Sequence, residues 1–121
     1  MTKNFDRMYI FHDRYTTKKD ADGSFIKVLK KKQRTICVIW ADYARFVGIS
    51  RCSENDQFNR KIGRAISEGR AFKLLNAEDG FRMTQDMFCF ETDQIHMMRD
   101  FLKNVPEWMY LEKNKELKKE I

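Results

Sequence analysis

The chain has 121 residues, with 42% hydrophobic and 13% aromatic side chains, enough for one compact domain with its own core. Only five Gly and one Pro argue against a fibrous or disordered chain, and no apolar run approaches the ~18 residues of a membrane span. With 24 Lys plus Arg against 18 Asp plus Glu, a net charge of +6 and no signal peptide at the start, the expectation is a soluble domain of the cytoplasm with a polyanionic partner.

From Arg7 to Tyr15 apolar residues fall on both phases of a strand, Met8 and Ile10 on one and Tyr9 and Phe11 on the other. Lys19-Asp20-Ala21-Asp22-Gly23 has turn chemistry, and Phe25–Leu29 returns as a second strand, so the two form a hairpin. After a basic cluster at Lys30, Lys31, Lys32 and Arg34, the β-branched run Thr35–Trp40 predicts a third strand. Arg45–Ser50 returns as a fourth. Ser53-Glu54-Asn55-Asp56 has the form of a capping box, which starts a helix whose stripe is Phe58, Ile62, Ala65 and Ile66 and whose stop is Gly69. Gly63 costs about 1 kcal/mol inside a helix, so the sequence implies a close approach of another backbone or a ligand there.

Ala71–Leu75 then reads as a strand, and Phe81–Phe90 as a strand or an irregular hydrophobic segment. Thr92 is placed as the N-cap of a second helix with the stripe Ile95, Met98, Leu102 and Val105, ended by Pro106. The order is that of an α+β domain over residues 1–111: an antiparallel sheet of about four or more strands, with two helices on one face. Phe58, Ile62, Ile66, Ile95, Met98 and Leu102 are expected to be buried. Residues 112–121, rich in Glu and Lys, are expected to be a charged tail or frayed helix.

The charge is unevenly spread. Residues 1–75 carry 17 basic and 8 acidic side chains, and residues 76–121 carry 7 and 10. A cationic first part points to nucleic acid, because phosphate neutralisation supplies most non-specific affinity. The candidate contacts fall in two groups. One is Lys30, Lys31, Lys32 and Arg34 at a strand exit, with aromatics interleaved nearby. The other is Arg51, Arg60, Lys61, Arg64, Arg70 and Lys73 on and around the first helix. Arg suits bidentate phosphate contact and stacking on bases. The competing explanation is a solvated helix face with Glu68 pairing Arg64 at i+4.

Catalytic chemistry finds little support. Cys37, Cys52 and Cys89 are odd in number and widely spaced, without a CxxC, so neither a metal site nor any other cofactor is expected. Cys52 precedes a predicted helix start, where a thiol can be activated, but the carboxylates of the capping box oppose this, and a small buried side chain is the better explanation. His12 and His96 belong to no local motif. No catalytic residue is assigned. Trp108–Leu111 and the surrounding methionines are either core or a partner surface, core being the simpler reading.

The stretch Cys52-Ser53-x-x-Asp56-x-Phe58-x-Arg60-Lys61-x-Gly63-Arg64-x-Ile66-x-x-Gly69-Arg70-Ala71, after the hydrophobic strand Val47–Ser50, resembles a pattern in small accessory proteins of tailed bacteriophages. The resemblance covers about a fifth of the chain. It implies a phage accessory protein in the host bacterial cytoplasm, of a class that binds nucleic acid or disarms host factors such as the RNase toxins of toxin–antitoxin systems. The leading expectation is a non-enzymatic nucleic-acid binder, RNA favoured over DNA. The alternative is a protein-binding inhibitor of a host defence or toxin protein, and an enzyme ranks last.

Overall fold

The computed structural model describes residues 4–41, 43–77 and 83–111. Its order is β1 (Arg7–Lys19), β2 (Phe25–Trp40), β3 (Ala44–Arg51), α1 (Arg60–Leu75), β4 (Met87–Glu91), a 3-10 segment Thr92–Met97 running into α2 (Met98–Leu102), and a 3-10 turn Glu107–Met109. The strands form an antiparallel meander in the order β1-β2-β3-β4. The α+β class and the four-stranded antiparallel sheet are therefore as expected from the sequence. Among the described residues no helix is long and apolar enough to cross a membrane.

The run Ile36–Trp40 is buried on both phases, which requires a cover on each face of the sheet. One face presents Ile36, Val38, Trp40, Val47, Ile49, Phe88 and Phe90 to Ile95, Met98, Leu102, Val105, Met109 and Tyr110. The other presents Cys37, Ile39, Ala44 and Phe46 to Ala71, Leu74 and Leu75 of α1. The two helices thus lie on opposite faces, not together on one. The C-terminal patch belongs mainly to the core. Met109 and Tyr110 are buried, Trp40 Nε1 donates to the Met109 carbonyl at 2.6 Å, and the Arg45 guanidinium lies 4.0 Å from the Trp40 ring centroid and donates to the Tyr110 carbonyl.

α1 corrects the sequence reading most. It begins at Arg60, capped by Asn59, whose side-chain oxygen accepts from the Ile62 backbone N–H at 3.0 Å. Ser53 instead closes a local turn, accepting from the Asn55 and Asp56 N–H groups. The inward face is Gly63, Ser67, Ala71 and Leu74, a stripe of mostly small residues one helical turn apart. A Cβ on Gly63 would lie 3.1 Å from the Thr35 Cβ, so the helix rests directly on β2. That close approach turns the expected apolar stripe outward. Ile62 is 57% and Ile66 40% exposed, and Phe58 is half-buried, while Ile95, Met98 and Leu102 are buried as expected. Gly69 does not stop the helix. Ala71, Leu74 and Leu75 continue its buried face, so the segment expected as a strand is its last turns. Asn59→Ala should cost about 1 kcal/mol of stability, and Ser53→Ala only a few tenths, in urea unfolding of the full chain. Equal costs would return the cap to Ser53.

Two further boundaries move. Glu91, not Thr92, is the N-cap of the second helical segment, and that segment ends at Lys103 (φ 55°), three residues before Pro106. Met87–Glu91 is an edge strand, so the ambiguous Phe81–Phe90 stretch is strand only in its last four residues; a turn at Thr84–Asp86 precedes them, and Phe81 and Arg82 lie outside the described residues. The expected tail 112–121 also lies outside them.

Candidate nucleic-acid interface

The strands predicted at Phe25–Leu29 and Thr35–Trp40 are one strand, β2, of 16 residues. Only its inner part pairs with β3, the last partners being Arg34 and Arg51. Beyond them β1 and β2 pair with each other alone and run out of the sheet as a two-stranded arm, residues 14–33. Asp20 closes its tip, its carboxylate accepting from the N–H groups of Asp22 and Ser24, and Gly23 takes the left-handed φ of 83° that the turn needs.

The arm carries Arg14, Lys18, Lys19, Lys27, Lys30, Lys31 and Lys32 against Asp20 and Asp22, so it holds +5 of the chain's +6. Tyr15, Phe25, Ile26 and Leu29 are exposed on it, Phe25 at 70%. The register places Tyr15 opposite Leu29, Thr17 opposite Lys27 and Lys19 opposite Phe25 on one side of the ribbon. The Lys19 ammonium sits 5.5 Å from the Phe25 ring centroid. Aromatic faces and lysines therefore alternate along one surface, an arrangement that stacks bases and tracks phosphates.

The arm is fixed at its root. Pairing passes from Asp13↔Arg34 to Tyr15↔Leu29, leaving Lys30–Gln33 bulged opposite Arg14. Asp13, 1% exposed, accepts from Lys30 Nζ at 2.8 Å and Arg34 Nε at 2.7 Å. Arg14 Nε donates to the Gln33 side chain at 3.0 Å, and the Cys52 N–H to the Gln33 carbonyl at 2.9 Å. Beside the bulge lies a cleft of about 350 Å³ bordered by Lys32, Arg34, Arg51, Cys52 and Glu54.

The ten residues singled out from the sequence thus divide by what holds them. Lys30 and Arg34 are engaged by Asp13, and Arg34 also donates to the Leu102 carbonyl. Arg51 and Arg70 share Asp86, at 2.5 and 3.7 Å, and Arg70 donates to the Ile49 carbonyl. Arg64 pairs with Glu68 at 2.7 Å. Lys31, Lys32, Arg60, Lys61 and Lys73 are exposed and make no ion pair among the described residues. Lys73 lies about 20 Å along α1 from Arg60, away from the arm.

The first turn of α1 contains no acidic residue and begins Arg60-Lys61. Cations at a helix N-terminus oppose its dipole, and the same N–H groups and charges suit an anion. This turn lies over the arm's root. Phe58 packs edge-on against His12, with ring centroids 5.6 Å apart, and Arg14 lies 4.6 Å from the centroid of the Phe58 ring. His12 Nδ1 is 2.9 Å from Thr35 Oγ1. Burial, then the charges of Arg60, Arg14 and Arg64, hold His12 below the usual imidazole pKa.

Sequence reasoning missed Arg14, Lys18 and Lys19. Their role rests on the β1–β2 hairpin running past the end of β3, which no local sequence signal shows. Two of the three cysteines are held as protonated thiols. Burial pushes the Cys37 thiol up to about 12, and burial followed by the Glu91 charge raises Cys89. Cys52 is half-buried rather than buried, and its thiol donates to the Asp56 carbonyl at 3.4 Å. His96 is exposed. Among the described residues no group of three or more His, Cys, Asp or Glu is placed to hold a metal ion. No protein-family model matches the chain, and no curated protein or solved structure matches it either.

Proposed function

We propose that the protein is a non-enzymatic nucleic-acid-binding protein, with RNA favoured over DNA, that engages its ligand along the β1–β2 arm and the first turn of α1. The observation that carries the reading is the arm, which holds five of the six net charges together with exposed Tyr15 and Phe25. An arm built outside the core gains no folding energy from that charge, whereas phosphates would neutralise it. Stacking on aromatic side chains favours unpaired bases, which is the form in which RNA is read. The resemblance of Cys52–Ala71 to phage accessory proteins supports a role in the host bacterial cytoplasm.

The test is titration with a fluorescent ten-nucleotide RNA at several salt concentrations. Replacing Lys27, Lys31 and Lys32 with Gln removes three phosphate contacts and should flatten the slope of log K against log salt by about 2. Unfolding midpoints should barely change, because all three side chains are exposed. Absence of wild-type binding at low salt overturns the reading. A second reading, a protein-binding inhibitor of a host factor, draws on the outward-facing Ile62 and Ile66 beside a cleft of about 400 Å³. It predicts a host protein retained after nuclease treatment, with no affinity for RNA.

A further inference from the structure

We propose that His12, Arg14, Arg60 and Arg64 form a subsite for a single phosphate group at the root of the arm, and that His12 takes up a proton from solvent as the phosphate binds. The inference deepens the nucleic-acid reading and rests on it.

Three elements converge on the subsite. β1 supplies His12 and Arg14, the segment before α1 supplies Phe58, and α1 crosses β2 at Gly63, against the same Thr35 whose hydroxyl meets His12 Nδ1. Arg60 and Arg64 lie one turn apart on α1, three residues before and one after Gly63, and the charges of both act on His12 of β1. The charged groups acting on His12 are Arg60 and Arg64 from α1 and Arg14 from β1, all positive, while β2 presents the neutral Thr35. Arg64 shares its charge with Glu68; Arg60 makes no ion pair among the described residues. Nε2 of His12 has no hydrogen-bond partner among the described residues, since its one such contact is made by Nδ1.

Without an anion, the three guanidinium groups and partial burial disfavour a fourth positive charge, so the imidazole is neutral at pH 7. A phosphate placed among them reverses the local field and favours imidazolium. Binding then takes up a proton, so affinity rises as pH falls from 8 toward 6. The limit is tenfold per pH unit, reached when one full proton is absorbed.

Proton NMR of the full chain tests this directly, because the chain has only two histidines and a His96→Gln variant assigns them. The His12 titration midpoint is measured alone, with saturating oligouridylate decamer, and with sodium sulfate against sodium chloride at matched ionic strength. Neither probe titrates between pH 6 and 8. The expected result is a rise of about one pH unit or more with the decamer, and RNA affinity that strengthens with acidification in wild type but not in His12→Gln. If the decamer binds and the His12 midpoint stays put, the subsite is wrong and the nucleic-acid reading stands. If sulfate raises the midpoint but no RNA binds, the subsite stands and the nucleic-acid reading falls. If neither probe moves His12 and no RNA binds, both fall.

Discussion

Gly48→Ala is expected to lower stability by about 3 kcal/mol, the upper range for overpacking a core, and the melting midpoint by on the order of 10 °C. Gly48 sits mid-sheet, paired with Cys37 on one side and Met87 on the other. A Cβ there would stand 2.5 Å from the Ala71 backbone nitrogen and 2.9 Å from the Arg70 Cβ. No rotamer can relieve a clash with backbone. Either α1 lifts from the sheet, uncovering Cys37, Ile39 and Phe46, or β3 bends. Gly69→Ala is the internal control. It lies on the same helix with nothing within 4 Å of a new Cβ, and should stabilise by about 0.5–1 kcal/mol through helix propensity alone. Denaturant unfolding of both variants decides, and a Gly48→Ala protein as stable as wild type would mean that α1 does not rest on β3 as described.

Asp13→Ala should cost about 2–3 kcal/mol. Removing one partner of a fully buried ion pair costs roughly 3–5 kcal/mol because a charge is stranded. The figure is reduced here because Lys30 and Arg34 keep 23% and 13% of their side chains exposed and can partly reach water. The same change leaves two cations facing each other where the arm leaves the sheet, so the bulge at Lys30–Gln33 loses what fixes it. Asp13→Asn keeps an acceptor without the charge and should fall between wild type and Ala. Urea midpoints of the three proteins give the order. A loss below about 1 kcal/mol for Ala would show that the two cations are solvated without Asp13.

The strands were legible where local chemistry and burial agree. Thr35–Trp40 is β-branched and apolar on both phases, and nothing but a doubly covered strand accommodates it. The hairpin was legible from Asp20–Gly23. The helix start was not, because Ser53-Glu54-Asn55-Asp56 and Asn59 are both acceptable caps, and the choice is made by a distant residue, Thr35, against which only Gly63 can pack. That contact also reverses the ordinary assumption that the largest apolar residues of a helix face inward. Ile62 and Ile66 face out because Gly63, Ser67 and Ala71 face in. The arm was illegible for another reason. Its strands have ordinary strand composition, and that they outrun β3 follows from β3 ending at Arg51, with β2 pairing no further than Arg34. Lys30 and Arg34 looked equivalent to Lys31 and Lys32 until Asp13, 17 and 21 residues away, was seen between them.

With +5 on residues 14–33 and +1 on everything else, the molecule is an electric dipole: a nearly neutral body with its charge displaced onto a boom. In the field of a polyanion such an object experiences torque as well as attraction. It turns arm-first during the diffusional encounter, before any atom touches, and the orientational penalty that slows most macromolecular association is reduced. The steering weakens as the Debye length shrinks toward about 8 Å near 0.15 M salt, much shorter than the arm's reach.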